Sequence, residues 1–251
     1  MVDSSVDAEV RRTAITRSVS PGQPLRIDEL AELFAVSSMT IRRDLQELEA
    51  RGILRRVRGG AVLRGPESFT ERSRQASRAK ERIATKLMTL LPRSGAIGLD
   101  ASSTIHRLAT HIDGEAELTV VTYGPETFQI LRTKPGVRAY LTGGEQDSRT
   151  GALGGPIACL TIRQFMFSRL FLSASLLDPT LGSSDDTIEE AEVKRVMADM
   201  AQHVVLAVDS SKLGGRTTAR TLPLERIDLL VTELDPSHKL LAPYRGHVEL
   251  L

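Results

Sequence analysis

Cysteine is almost absent, since Cys159 is the single one in 251 residues. That excludes an internal disulfide framework and thiolate-rich zinc sites, and it suits a reducing compartment. Long apolar runs are missing as well. No stretch approaches the roughly 18 consecutive apolar residues of a membrane helix, and the chain starts with Asp3, Asp7 and Glu9 ahead of Arg11-Arg12, with no apolar run behind them. Neither a membrane span nor a signal peptide is expected, which predicts a soluble, cytoplasmic protein. An excess of either charge is lacking too: Lys+Arg 33 against Asp+Glu 32 leaves +1, so no whole-molecule field favours nucleic acid or an acidic membrane. Histidines number 5, and His106 and His111 do not have the i, i+4 spacing of a paired metal site; no metal and no cofactor is expected. What is present is 41% hydrophobic and 26% charged residues, enough for one or two globular units and incompatible with a disordered or fibrous chain.

The balanced total hides a distribution. Residues 1–64 hold eleven arginines against nine acidic residues, a surplus of two, whereas the remainder carries one net negative charge. Residues 37–64 are sharper: Arg42, Arg43, Arg51, Arg55, Arg56, Arg58 and Arg64 stand against Asp44, Glu47 and Glu49, a surplus of four. Arginine offers planar, bidentate donors that match phosphate oxygens and the guanine edge.

Periodicity gives this patch a scaffold. A first helical stretch is predicted over 7–19, closed by Pro21-Gly22-Gln23-Pro24. Ile27, Leu30, Ala31 and Phe34 then recur at i, i+3, i+4 and i+7, the apolar face of a short helix. Ser37-Ser38 favour an N-cap. In the helix that follows, Ile41, Leu45 and Leu48 point inward while Ser38, Met39, Arg42 and Arg43 are left on the opposite or leading face. Two short helices joined by a tight turn are the helix-turn-helix pattern. Gly52 suits a helix C-cap, and residues 53–62 read as a hairpin turning at Gly59-Gly60, a wing whose arginines would meet phosphates or the minor groove.

The segments Leu30-Ala31-Glu32-Leu33-Phe34, Thr40-Ile41-Arg42-Arg43-Asp44-Leu45, Gly52-Ile53-Leu54 and Gly59-Gly60-Ala61-Val62 resemble the winged helix-turn-helix of DeoR-family transcriptional regulators. Candidate DNA-contacting residues are Ser37, Ser38, Met39, Thr40, Arg42 and Arg43 on the second helix, with Arg55, Arg56 and Arg58 on the backbone. Thr40 can instead support the helix start, Arg43 can pair with Glu47, and Asp44 is given the role of orienting an arginine.

Residues 65–76, polar apart from Phe69, read as a linker between a head at 1–64 and a body at 77–251. A helix is expected from Ser77, with Lys80 structural or matching the corresponding family segment. Beyond it, apolar runs at 96–99, 118–121, 137–141, 170–172, 204–208 and 229–231 alternate with helical stretches at 104–111, 125–133, 157–165 and 188–202. That alternation predicts α/β architecture with a mainly parallel sheet, whose ligands bind at the carboxyl ends of the strands. The candidate effector residues therefore lie at four strand ends: Asp100, Ser102, Ser103 and Thr104; Thr122 and Tyr123; Gly143 and Gly144; Asp209 and Lys212. Hydroxyls and free amides at a helix N-terminus make an anion cradle, although Ser102 or Ser103 can simply cap the helix, and Lys212 is a counter-charge for phosphate or a surface lysine.

These strand ends, with Gly182 and Glu189-Glu190-Ala191-Glu192-Val193-Lys194-Arg195, resemble the sensor domain of the same family. The resemblance implies a fold related to sugar-phosphate isomerases, a phosphorylated sugar or related metabolite as effector, and a homodimer or higher homo-oligomer. The Thr187 to Glu190 spacing also reads as a capping box, so that charge run has a structural reading too. This chain departs from the family at Ser102-Ser103, at Tyr123-Gly124 and at Ser173-Ala174-Ser175-Leu176, which removes an amide and a carboxylate and adds a phenol. Two functions are weighed: a DNA-binding regulator, most often a repressor, released by a phosphorylated metabolite; and an isomerase-like enzyme using Asp100, Asp178 or Asp209. The absence of an acid at Ser175 and the DNA-reading head favour the regulator over the enzyme.

Overall fold

The computed structural model describes residues 4–18, 24–50, 53–57, 59–63, 67–113 and 116–251. It divides into two compact units, Met1–Gly65 and Pro66–Leu251.

In the first unit, helix α1 (Ser4–Ser18) precedes the short strand β1 (Leu25–Arg26), helix α2 (Ile27–Leu33) and helix α3 (Ser38–Ala50), then the hairpin β2 (Leu54–Val57) and β3 (Gly60–Leu63). The expected apolar faces meet: Ile27, Leu30, Ile41, Leu45 and Leu48 are buried with Ile15, Leu54 and Ala61, while Ala31 and Phe34 pack against them. Between α2 and α3 the chain turns through Ala35 at φ +49, with Ala35 N donating to Glu32 O and Val36 N to Ala31 O. These are the two bonds of a Schellman turn, here made by an alanine where glycine is common. Strand order is β1-β3-β2, antiparallel. At Gly60 a Cβ would lie 1.8 Å from Leu25 O, so only glycine lets β1 close on β3. Gly52 and the 19–23 break lie outside the described residues.

In the second unit, inside the expected linker, helix α4 (Phe69–Arg74) forms, because Ser68 and Glu71 make a reciprocal capping box and the Phe69 ring packs edge-on against His106 at 4.8 Å. Helix α5 (Ser77–Met88) follows. The elements then run β4 (Ser94–Leu99), α6 (Ser103–His111), β5 (Glu117–Thr122), α7 (Pro125–Leu131), β6 (Val137–Leu141), β7 (Glu145–Gln146), β8 (Leu153–Gly154) and α8 (Gly155–Ile162). After them come β9 (Arg169–Leu172), β10 (Leu176–Asp178), β11 (Gly182–Asp185), α9 (Ile188–Asp199), β12 (Val204–Ala207), β13 (Ala219–Arg220), β14 (Leu229–Val231) and β15 (Glu249–Leu250).

The central sheet has the order β15-β14-β12-β9-β4-β5-β6, and every pairing is parallel. Alternate residues of its strands feed opposite faces. Ile97, Leu99, Phe171, Val205 and Ala207 pack with Ile83, Leu87, Ile105 and Leu108 of α5 and α6. Leu170, Leu172, Val204 and Leu206 pack with Ile162, Val193 and Met197 of α8 and α9 on the other face. All six expected strands are present. A small antiparallel sheet, β10-β11-β13, stands beside them. From β4 the chain adds β5 and β6 on one side, then starts again at β9 on the other. The carboxyl ends of β4 and β9 are thus the topological switch point, where open α/β sheets form a ligand crevice.

Candidate nucleic-acid interface and effector pocket

In the first unit α3 starts at the expected serines. Ser37 is the cap: its Oγ accepts from Thr40 N at 3.1 Å and lies 2.9 Å from Thr40 Oγ1. Thr40, half-buried, therefore supports the helix start. Ser37, Ser38, Arg42 and Arg43 are exposed, and Met39 is 62% exposed although it is large and apolar. Asp44 is buried and holds helix α1: Arg11 Nε donates to it at 2.5 Å and Arg12 Nη1 at 3.4 Å. It does orient arginines, but those of α1 and not those of its own helix. On the hairpin, Arg56 is exposed, with Nε 2.5 Å from Glu49 Oε2, so in the free protein α3 holds it. Arg55 occupies β2 opposite Val62. Arg58 lies outside the described residues.

In the second unit a cleft opens at the β4/β9 switch point. Ser102 and Ser173 line it together with the charged side chains of Glu67, Arg72, Asp185, Asp186, Glu190, Lys194 and Lys212. Of the sequence-predicted effector residues, Ser102 and Lys212 line this cleft. Ser102 does both things considered for it, since its Oγ also caps α6 by accepting from Ile105 N at 3.1 Å. Lys212 Nζ donates to Ala174 O at 2.6 Å and Ser173 Oγ at 3.3 Å.

The other predicted residues have structural work. Asp100 is fully buried beneath the cleft; its carboxylate accepts from Ser102 N at 2.9 Å and Ser173 N at 2.7 Å, tying the ends of β4 and β9 together. Ser103 is buried and accepts from Lys80 Nζ at 3.0 Å. Thr104 is buried in the first turn of α6. Thr122 Oγ1 accepts from Gly124 N at 3.1 Å, closing the turn after β5. Tyr123 belongs to the core: its ring is fully buried among Ala101, Val121 and Ala152, and burial pushes its phenol well above its ordinary pKa. The added phenol is not among the residues lining the cleft, and its buried hydroxyl has no hydrogen-bond partner among the described residues. Gly143 and Gly144 adopt positive φ in the turn after β6, where a Cβ on Gly144 would meet Gly154 O at 2.3 Å; the second glycine serves chain packing. Asp209 caps the turn 210–212, accepting from Ser211 N at 3.2 Å and from the Ser211 hydroxyl.

Apart from Lys212, sequence reading missed the residues that give the cleft its charge. Lys194 Nζ is buried and lies 2.7 Å from Asp185, 3.1 Å from Glu190 and 3.7 Å from Asp100, with Ser173 O accepting at 2.9 Å. Burial alone would lower its pKa; Asp185 and Glu190 outweigh that and hold it well above its ordinary value. The Thr187 side chain caps α9 through Glu190 N at 3.2 Å, while the Glu190 carboxylate turns to Lys194, so the charged run of this helix builds the cleft. Asp186 accepts from the Ser175 hydroxyl at 3.1 Å and the Thr217 hydroxyl at 2.8 Å, placing a carboxylate of β11's end next to the position where the sequence lacks one. The i, i+4 spacing of Glu190 and Lys194 was visible, but nothing local shows that it faces inward. Among the described residues no group of three His, Cys, Asp or Glu side chains is placed to hold a metal ion, and no helix is long and apolar enough to cross a membrane.

The comparisons with known proteins agree with this division. Residues 11–66 match the DeoR-like helix-turn-helix domain, and residues 75–234 match the DeoR C terminal sensor domain. The chain belongs to the DeoR family of transcriptional regulators. Among this DeoR-family regulator's relatives is the HTH-type transcriptional regulator GolR of Listeria innocua, 34% identical over 227 residues that cover 89% of each chain. The glycerol-3-phosphate regulon repressor of Escherichia coli is 30% identical and covers 90% of this chain and 91% of its own. The lactose phosphotransferase system repressor of Streptococcus mutans is 31% identical, covering 92% and 94%. Membership places this DeoR-family chain among DNA-binding regulators and not among enzymes, so the isomerase-like alternative is set aside.

Proposed function

We propose that this regulator represses a carbohydrate or related metabolic operon from the cytoplasm and is released when a phosphorylated metabolite occupies the cleft at the β4/β9 switch point. The observation that carries this reading is that Arg72 and Lys212, whose side-chain hydrogen bonds among the described residues go to neutral oxygens, line one cleft together with carboxylates. The cations suit a phosphoryl group, and the carboxylates accept from hydroxyls. Two relatives named as repressors of a glycerol-3-phosphate regulon and of a lactose phosphotransferase system support the same ligand class. Ser37, Ser38, Met39, Thr40, Arg42 and Arg43 would enter the major groove, and Arg55, Arg56 and Arg58 would meet the backbone. One winged unit reads one half-site; a homodimer matches the inverted repeat that such a head needs.

The test is a mobility-shift titration on DNA from the regulator's own promoter region. Wild-type protein should form a complex that a phosphate ester such as glycerol 3-phosphate dissolves. Alanine at Arg42 or Arg43 should weaken that complex by about 1–3 kcal/mol. A complex indifferent to both substitutions removes the DNA assignment, and one indifferent to phosphorylated metabolites removes the effector assignment.

A further inference from the structure

We infer that Arg72, on the segment that follows the DNA-binding unit, is itself an effector ligand, so that a bound phosphoryl group clamps helix α4 onto the sensor unit. The inference rests on the effector reading above. Arg72 lies outside both family matches, which end at residue 66 and begin at residue 75, yet its side chain lines the cleft beside Ser102, Ser173 and Lys212.

Its guanidinium is only partly used. Nη1 donates to Ala101 O at 3.4 Å and Nη2 to Thr150 O at 3.2 Å, both long contacts to neutral carbonyls. Nε is buried and has no hydrogen-bond partner among the described residues. A planar donor edge of Nε–H and one terminal N–H is the edge that grips two oxygens of a phosphate, and Ala101 O places it next to the first turn of α6. Further cations stand close by, although carboxylates line the same cleft. Lys80 donates to Arg72 O at 2.5 Å and to Ser103 Oγ. Burial first, and then Lys212 and Arg72 among its neighbours, bring the Lys80 pKa down to about 8; burial and, among its neighbours, Lys194 and Arg72 also lower that of Lys212. Assembled cations with a dry, unpartnered donor among them are what a phosphate dianion relieves.

Helix α4 is suited to respond. It has six residues, none of them buried, and a helix that short has no stability of its own. Among its ties to the rest of the sensor unit are the Arg72 contacts, the Phe69–His106 ring pair and the Lys80 bond to Arg72 O. Bonds from a ligand to Nε exist only while α4 is docked, so binding shifts the population toward the docked form. Because residues 67–74 run directly on from the head in sequence, that shift is the route by which an occupied cleft reaches the DNA-binding unit.

The experiment is amide hydrogen exchange on full-length wild-type, Lys212→Ala, Arg72→Gln and Arg72→Lys proteins, with and without inorganic phosphate or glycerol 3-phosphate at matched ionic strength. Phosphate should slow exchange at residues 69–75 of the wild type, and the half-saturating concentration should rise by about tenfold or more in Arg72→Gln, the loss of a charged hydrogen bond. Arg72→Lys keeps the charge without the forked edge and should lose the protection of 69–75 while keeping that near Ser102 and Ser173. Protection near Ser102 and Ser173 in the wild type without protection of 69–75 overturns the inference and leaves the effector reading standing. So does an Arg72→Gln protein that responds as the wild type does. Absence of phosphate protection anywhere in the wild type removes the effector reading itself.

Discussion

Lys194 shows how one buried charge organises the cleft. Its ammonium is taken out of water, a cost that only close carboxylates offset, and Asp185 at 2.7 Å and Glu190 at 3.1 Å do so. The same contacts hold Ser173 O, the residue after β9. Replacing Lys194 by methionine keeps the length and removes the charge, leaving two buried acids without their partner. That substitution should destabilise the sensor unit by about 3–5 kcal/mol, read as a lower urea midpoint with an unchanged slope. A loss below about 1 kcal/mol would show that water already screens the cluster. Ser102, Asp100 and Lys212 were identifiable because each follows an apolar run directly. Arg72 and Asp185 were not, and neither was the inward orientation of Lys194, because the Arg72 contacts to Ala101 O and Thr150 O and the Lys194–Asp185 pair span 9 or more positions in sequence and no local pattern records those pairings.

Elements were legible where they were long enough to repeat. The 3.6-residue spacing in α2 and α3 marked the apolar faces that the head core buries. Helix α4 has six residues, too few for a period, and its capping box at Ser68 and Glu71 passed for ordinary linker polarity. The hairpin was visible from its glycines, but the reason for Gly60 was not: β1, two residues long, closes against it. Gly60→Ala puts a Cβ within 1.8 Å of Leu25 O, so β1 must leave the sheet. The expected result is a lower melting temperature of the head and loss of operator binding, with phosphate-induced stabilisation of the sensor unit retained. Operator affinity equal to wild type would show that β1 pairing is dispensable to the head.

At the scale of the molecule, the proposed effector reading predicts a protonation equilibrium linked to binding. Lys80 sits at about 8 instead of 10.5 because of burial and then Lys212, with a smaller push from Arg72 and with Asp209 and Glu67 opposing. A phosphate anion in the neighbouring cleft favours the ammonium and raises that value, so binding takes up a proton near pH 8 and affinity falls as the pH rises through this range. Calorimetry at pH 8 in buffers of different ionisation enthalpy should show uptake in the wild type and none in Lys80→Met. Equal heats in all buffers for the wild type would dismiss the linkage.

Residue order by itself determined the winged head, the six main strands and the family, because those depend on short-range periodicity, turn residues and contiguous motifs. Which strand ends would meet was decided only by the tertiary structure. Strand order is set by how both faces of the sheet are covered, and here it brings β4 beside β9, with Ile97 opposite Arg169, 72 positions on. That adjacency puts Ser102 and Ser173 in one cleft and leaves Tyr123 and Gly144 outside it. It also lets an arginine from the connecting segment stand among cations that adjacent sequence never placed together, since burial and charge act through space and not along the chain.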